Sequence, residues 1–511
     1  MSKAKGVIAA GHEITVAAAA EILSDGGNAF DAAIAGLFAS CVPEVVFSSI
    51  GGGGFLMAQK AGGSDAVLYD FFAQTPASKR PKNELEFYGI QADFGPATQE
   101  FHIGAGAAAV PGFVQGAFRV HSDLCRLPMS RIVEPAVRAA RDGVVVSDFH
   151  AYLFTIVAPI LTASDSARAC FAPGDGLLAG GDVYRNSAFA ETLDGLGREG
   201  RRLFTEGELA RAMVAQSQDN GGHLTMNDFA AYDVELRRPL LWRHRDAELL
   251  LNPAPAASGP LIAFGLGLLQ RFLPEGAPGA LDLAAIMSET NAVRSAQASD
   301  LSAVTGHDVI DRHLNALAGH PQMPRGTTHI SVIDADGNAA AASVSNGEGN
   351  GSMVGEFGYM LNNMLGEEDL NAGGFHAWRP DTRLSSMMAP TLIRERSGAL
   401  TALGSGGSNR IRTAVLQVAV NLIDRGQELE PAVTAPRIHV EKGGKLSFEA
   451  GPWSELYSDE ERDALVESFE DVEVWPERNV FFGGVHAARA LGGGYEGAGD
   501  PRRAGAATVV R

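Results

Sequence analysis

Gly326-Thr327-Thr328-His329-Ile330-Ser331-Val332-Ile333-Asp334 runs into Ala335-Asp336-Gly337-Asn338 and returns as Ala339-Ala340-Ala341-Ala342-Ser343-Val344-Ser345. Thr328, Ile330 and Val332 share one face of a period of two, the repeat of a strand. Asp336-Gly337-Asn338 supplies turn chemistry, and the small residues of 339–345 read as the returning strand, so the pattern predicts a β-hairpin. Taken alone, Thr327, Thr328 and His329 are ordinary strand residues. A second reading is chemical. A Thr that becomes a chain N-terminus carries a hydroxyl nucleophile and an α-amine with a reference pKa of about 7.7–8.0, a usable base at neutral pH; a Lys at about 10.4 stays protonated there. Gly326 has no side chain to shield its carbonyl from the Thr327 hydroxyl, and it tolerates strained backbone.

Working outward, an Ala-rich helix over Thr15–Leu23 stops at Ser24-Asp25-Gly26-Gly27, and Asn28 with Asp31 opens a second helix as a capping pair. Strands are predicted at Phe55–Gln59 and Ala66–Phe71, after the run Gly51–Gly54. Residues 128–231 read mostly as helix, clearest at Arg131–Ala140, Phe189–Leu196 and Gly207–Gln216. Leu249–Ser258 reads as a Pro/Ala loop before an apolar helix over Pro260–Phe272. Beyond the hairpin, Thr391–Arg394 and Leu400–Leu403 form a strand pair, Ser405–Ser408 a glycine turn, and Arg410–Asp424 an amphipathic helix. Helices flanking two β-rich layers predict an α+β sandwich.

The chain has 511 residues, and 45% hydrophobic content provides for a large core. Length alone suggests about three domains. With 41 Lys and Arg against 61 Asp and Glu, the net charge is −20, which argues against nucleic-acid binding. No apolar run reaches the ~20 residues of a membrane span; the nearest, Ala32–Ala58, is broken by Pro43, Glu44 and the glycines. The 13 His are scattered, the three Cys show no C-x-x-C spacing, and neither a metal site nor a cofactor is expected. The N-terminus does not read as a signal peptide, so a cytoplasmic enzyme is the expectation. Gly51–Gly54 lacks the P-loop pattern and reads as a tight strand entry. The Gly404–Ser408 turn, just before a helix, is either a plain turn or a set of N–H groups able to hold an oxyanion.

Several ordered motifs then resemble the γ-glutamyltransferase (glutathione hydrolase) family of N-terminal-nucleophile hydrolases. They include Ser24–Ala33, Gly51–Phe55, Val110-Pro111-Gly112, Ala140–Gly143, Gly207–Ala210, Pro253–Gly259, Thr327–Asn338, Asn362-Asn363, Leu384–Met387, Ala435-Pro436-Arg437 and Gly499–Arg503. The resemblance implies a four-layer αββα sandwich and self-cleavage between Gly326 and Thr327. One shared core would then be built from a large segment, 1–326, and a small segment, 327–511, and two such heterodimers would be able to associate. It makes Thr327 the nucleophile for a small-molecule amide, with water or an amine as acceptor, and Ser345 its hydroxyl partner. Gly406 and Gly407 fall on the oxyanion glycines, and Ser385 and Ser386 on the serine pair that holds a substrate carboxylate. Glu368 or Asp369 falls to the acidic group for the α-amine.

Departures from the family pattern concentrate in the glutamyl pocket. Where the family has D-F-R-E-x-A-P, this chain reads Asp70-Phe71-Phe72-Ala73-Gln74-Thr75-Pro76, so Phe72 replaces the carboxylate-binding Arg. Gly347 stands for an Asn, Met364 for a Gln, and the loop Asn371–Arg383 is short where relatives carry a lid. Three readings follow: γ-glutamyl-type amides as substrates, the same mechanism on another acyl group, or an unprocessed binding protein. Arg383, two residues before Ser385, is the first candidate for a replacement cation.

Overall fold

In the computed structural model, residues 4–63, 65–93, 98–296, 305, 326–371 and 374–511 are described. Along the chain, thirteen of their strands build two sheets: β1 (Gly6–Ala10), β2 (Gly53–Gln59), β3 (Ala66–Phe71), β4 (Glu235–Arg237), β5 (Leu240–His244), β6 (Ala247–Leu251), β7 (Thr328–Asp334), β8 (Ala339–Ser345), β9 (Thr391–Glu395), β10 (Leu400–Gly406), β11 (Gly484–Leu491), β12 (Gly494–Ala498) and β13 (Ala506–Val510). The first sheet runs β13-β1-β7-β8-β2-β3-β4 and the second β12-β11-β10-β9-β6-β5, antiparallel throughout.

The predicted hairpin is β7–β8, with Ile330 opposite Ala342 and Thr328 opposite Val344. Both strands are buried along their whole length, so each of their faces must meet a layer. Ile330, Val332, Ala340, Ala342 and Val344 pack on α1 (Glu13–Ser24) and α2 (Ala29–Ser40). Ile333, Ala339 and Ala341 point the other way, into the core shared with the second sheet. The outer face of the second sheet is covered by α3 (Ser258–Phe272) and α5 (Arg410–Ile423), with α4 (Ala280–Ala296) packed on α3. The result is the αββα order. Alanine dominates β8 because it is pressed between a helix layer and a second sheet, where larger side chains would overpack.

The capping box at Asn28 forms as predicted, with the Asn28 side chain accepting from the Phe30 and Asp31 backbone. Asp334, at the hairpin turn, accepts from Asp336 N and Asn338 N with one oxygen and from Ala29 N with the other, which ties the turn to the α2 N-terminus. The expectation for Leu249–Ser258 is corrected: Leu249-Leu250-Leu251 belongs to β6, and the loop begins at Asn252. Buried on both faces, that strand shows no alternation by which to read it. β1, Gly-Val-Ile-Ala-Ala, went unread for the same reason. No helix among the described residues is long and apolar enough to cross a membrane.

Candidate active site

Thr327 stands just before β7 and Ser345 closes β8, so the hairpin register brings them side by side. Thr327 Oγ1 donates to the Gly326 carbonyl oxygen at 2.8 Å, and Ser345 Oγ donates to the same oxygen at 2.6 Å. The Ser345 hydroxyl is aimed by Gly347 N, which donates to it at 3.0 Å. At the other end of the same residue, Gly326 N donates to Glu348 Oε1 at 2.9 Å. Two hydroxyls on one carbonyl polarise it and would hold negative charge developing on its oxygen. The Thr327 carbonyl is pinned as well. Arg503 Nη1 donates to it at 3.0 Å, and a Cβ built on Gly406 would stand 2.0 Å from its oxygen. No other residue type fits at 406 without moving Thr327.

The next two residues anchor the strand from opposite faces. Thr328 Oγ1 donates to Glu44, whose other oxygen accepts from Thr15 Oγ1 at 2.8 Å. Burial pushes the Glu44 carboxyl up to about 7, although the two hydroxyls oppose the shift. His329 points between the sheets, with Nδ1 2.7 Å from Ser343 Oγ and Nε2 2.9 Å from Ser331 Oγ. Burial, then the neighbouring His486, holds its pKa well below the ordinary imidazole value, so it is a neutral structural ring.

A small cavity opens onto Gly326, Thr327 and Ser345. Its other walls are mostly apolar: Phe72, Leu370, Met387, Met388 and Ile411, with Glu367, Ser386 and Ser408 as the polar members. Ser386 is therefore at the site, whereas Ser385 is not in the lining and donates to the Pro255 carbonyl at 2.8 Å. The acidic group at the cavity is Glu367 rather than Glu368, which is exposed; the Asp369 side chain lies outside the described residues. Ser408 is the turn residue that lines the cavity; Gly406 backs the Thr327 carbonyl, and Gly407 takes a φ of +115° beside Gly483. Phe72 is 2% exposed and stacks on Phe55 at 5.4 Å. Among the described residues the lining contains one carboxylate and no Lys or Arg.

Arg383 does not replace the lost cation. Its guanidinium lies over the Tyr232 ring at 4.5 Å, donates to the Phe72 carbonyl and the Tyr232 hydroxyl, and reaches the Asp233 carbonyl at 2.6 Å. It braces the backbone behind Phe72 and is absent from the cavity wall.

The family profile described as gamma-glutamyltranspeptidase matches residues 15–510. The chain belongs to the γ-glutamyltranspeptidase family. Glutathione hydrolase proenzyme of Escherichia coli (strain K12) is 29% identical, over 85% of this chain and 81% of the relative. Acylase ACY 1 proenzyme of Pseudomonas sp. (strain V22) is 30% identical, over 87% and 84%. The fold matches a cephalosporin acylase from Bacillus halodurans with a TM-score of 0.84 at 22% identity, covering 99% and 96% of the two chains. As a γ-glutamyltranspeptidase family member the protein is an enzyme acting on amide bonds.

Among the charged residues at the site of this γ-glutamyltranspeptidase relative, Glu44, Glu348 and Arg503 were given no role from sequence, and Glu367 was passed over for its neighbours Glu368 and Asp369. Glu44 carried a signal, as a lone charge breaking an apolar run. Arg503 carried another, because two of the quoted motifs meet in the fold. Asp500 accepts from Arg437 and from Arg502, and Arg502 Nε donates to Glu449 Oε1 at 2.7 Å. Burial opposes ionisation of Asp500, yet Arg437 and Arg502 hold it down at about 2. This buried network fixes the terminal motif, and with it Arg503, against Thr327.

Proposed function

We propose that the protein is a self-processing N-terminal-threonine amidohydrolase and acyltransferase for γ-glutamyl-type amides. The convergence of the Thr327 and Ser345 hydroxyls on the Gly326 carbonyl carries the reading. In processing, Thr327 Oγ adds to the Gly326 carbonyl carbon and the C–N bond breaks. The amide becomes an ester, and water hydrolyses it to leave segments 1–326 and 327–511. The freed α-amine of Thr327 then takes the hydroxyl proton as Oγ attacks a substrate amide, and the leaving amine receives that proton. Water or an acceptor amine releases the acyl group from Thr327. Glu348 and Ser345 hold the new chain end and the oxyanion in this scheme, and Glu367 is the acidic group facing the acyl part.

A second reading keeps the mechanism and changes the acyl group. It is favoured by Phe72, which turns an apolar ring to the cavity where a carboxylate would need a bidentate cation. Mass spectrometry of the purified protein and of Thr327→Ala, each exposed to a γ-glutamyl anilide and to an anilide of a neutral acyl group, tests both. The parent should appear as two fragments, the smaller starting at Thr327 and gaining the acyl mass. Thr327→Ala should stay intact and unacylated. An intact, unacylated parent would sink the mechanism; acylation by the neutral anilide alone would select the second reading.

A further inference from the structure

Away from Thr327, the short loop before Arg383 folds into the wall of a second cavity of about 250 Å³. Its walls are largely rings. Phe87, Phe375, His223, His376 and Trp378 surround it, Leu365 lies at its base and Lys82 stands at its exposed rim. The rings hold one another in place. Phe375 meets Phe87 edge-on at 5.4 Å, and His223 meets Trp378 edge-on at 5.2 Å. Lys79 lies over Trp378 at 4.4 Å and donates to the His376 carbonyl at 2.7 Å, which ties the loop to the segment after Pro76. Thr75 Oγ1 adds a bond to the Arg379 carbonyl at 2.6 Å.

The charge pattern is one-sided. His223 Nδ1 accepts from Arg80 N at 3.0 Å, so its proton sits on Nε2 and the ring is neutral. Burial, with His376 beside it, lowers the pKa of His223 to about 4. Among the described residues the lining holds Lys82 and no carboxylate. An apolar cavity of roughly 150 Å³ accommodates a benzene, so this volume suits one or two fused rings. Ring walls favour offset and edge-on contacts with a flat ligand, and an ammonium at the rim favours an anion.

We infer that this cavity is a binding site for a planar aromatic carboxylic acid, the ring among Trp378, Phe375 and Phe87 and the carboxylate at Lys82. The site is separate from the Thr327 pocket. The turn Met364–Gly366 divides them, with Leu365 lining the aromatic cavity and Glu367 lining the other.

Calorimetric titration of the full-length protein with 1-naphthoate tests the site. Binding with a Kd of about 1 mM or tighter is expected. Trp378→Leu should weaken it about tenfold, and Lys82→Gln about threefold while erasing the preference over neutral 1-naphthylmethanol. Cyclohexanecarboxylate, with the charge but no aromatic ring, should not bind. Absence of naphthoate binding, equal binding of cyclohexanecarboxylate, or unchanged affinity in Lys82→Gln would overturn the inference. Lys82 is exposed, so that variant remains informative if Trp378→Leu does not fold. Naphthoate inhibition of anilide turnover assigns the site to an aromatic part of the substrate. Binding without inhibition assigns it to a free acid; both outcomes uphold the site.

Discussion

Glu44 shows how much a single buried carboxyl can control next to a nucleophile. Its folded pKa of about 7 lies above the ~4.3 of an unfolded glutamate, so the folded chain holds the proton more tightly. The stability this adds is complete below about pH 4.3 and is lost as the pH rises through about 7. Glu44→Gln stays neutral throughout. Thermal melts of parent and variant between about pH 5 and pH 8 should show the parent losing stability relative to Glu44→Gln as pH rises. Parallel curves would mean that Glu44 is already ionised in the folded state. At the same scale, Thr327 and Ser345 were legible through the resemblance to the family, and the hairpin register makes their hydroxyls neighbours. Glu367 was not, since Glu367 and Glu368 look alike until the turn Met364–Gly366 puts the first at the cavity and leaves the second exposed.

Glycines in β10 decide how closely the two sheets approach. A Cβ on Gly404 would stand 2.3 Å from the His329 ring of β7, in the layer where His329 bonds Ser331 and Ser343. Gly404→Ala should therefore destabilise by about 1–3 kcal/mol in denaturant melts, the usual cost of overpacking. His329→Ala removes the ring, so the double variant should lose about 1 kcal/mol less than the sum of the singles. Strict additivity would show that the ring does not limit the approach. The elements themselves read unevenly from sequence. Helix α2 and the hairpin announced their ends through Asn28, Asp31 and Gly337, whose chemistry is local. Strands β6 and β1 carry no such marks, because sheets buried on both faces replace alternation with continuous apolar or small residues.

Both sheets are interleaved from the two sides of the Gly326–Thr327 bond. β1 pairs with β7 on one side and β13 on the other, both from beyond residue 326, while β6 pairs with β9. Neither segment can satisfy its strand edges or bury its faces alone. Segment 327–511 expressed by itself should be insoluble, co-expression with 1–326 should restore a soluble complex, and the complex should unfold in one urea transition. A monomeric, cooperatively melting 327–511 would refute this. The amino-acid sequence by itself determined the reaction class and the layered fold through its ordered resemblance to the family, and short-range strand and turn rules determined the hairpin that joins Thr327 to Ser345. What lines the cavity beside Thr327 was settled by tertiary structure. Phe72, Glu367, Ser386 and Ile411 come from four distant stretches, and Arg383, a ready cation on paper, is drawn away by the carbonyls of Phe72 and Asp233. Pocket chemistry depends on which long-range partner claims each polar group, and burial sets that competition after the chain has folded.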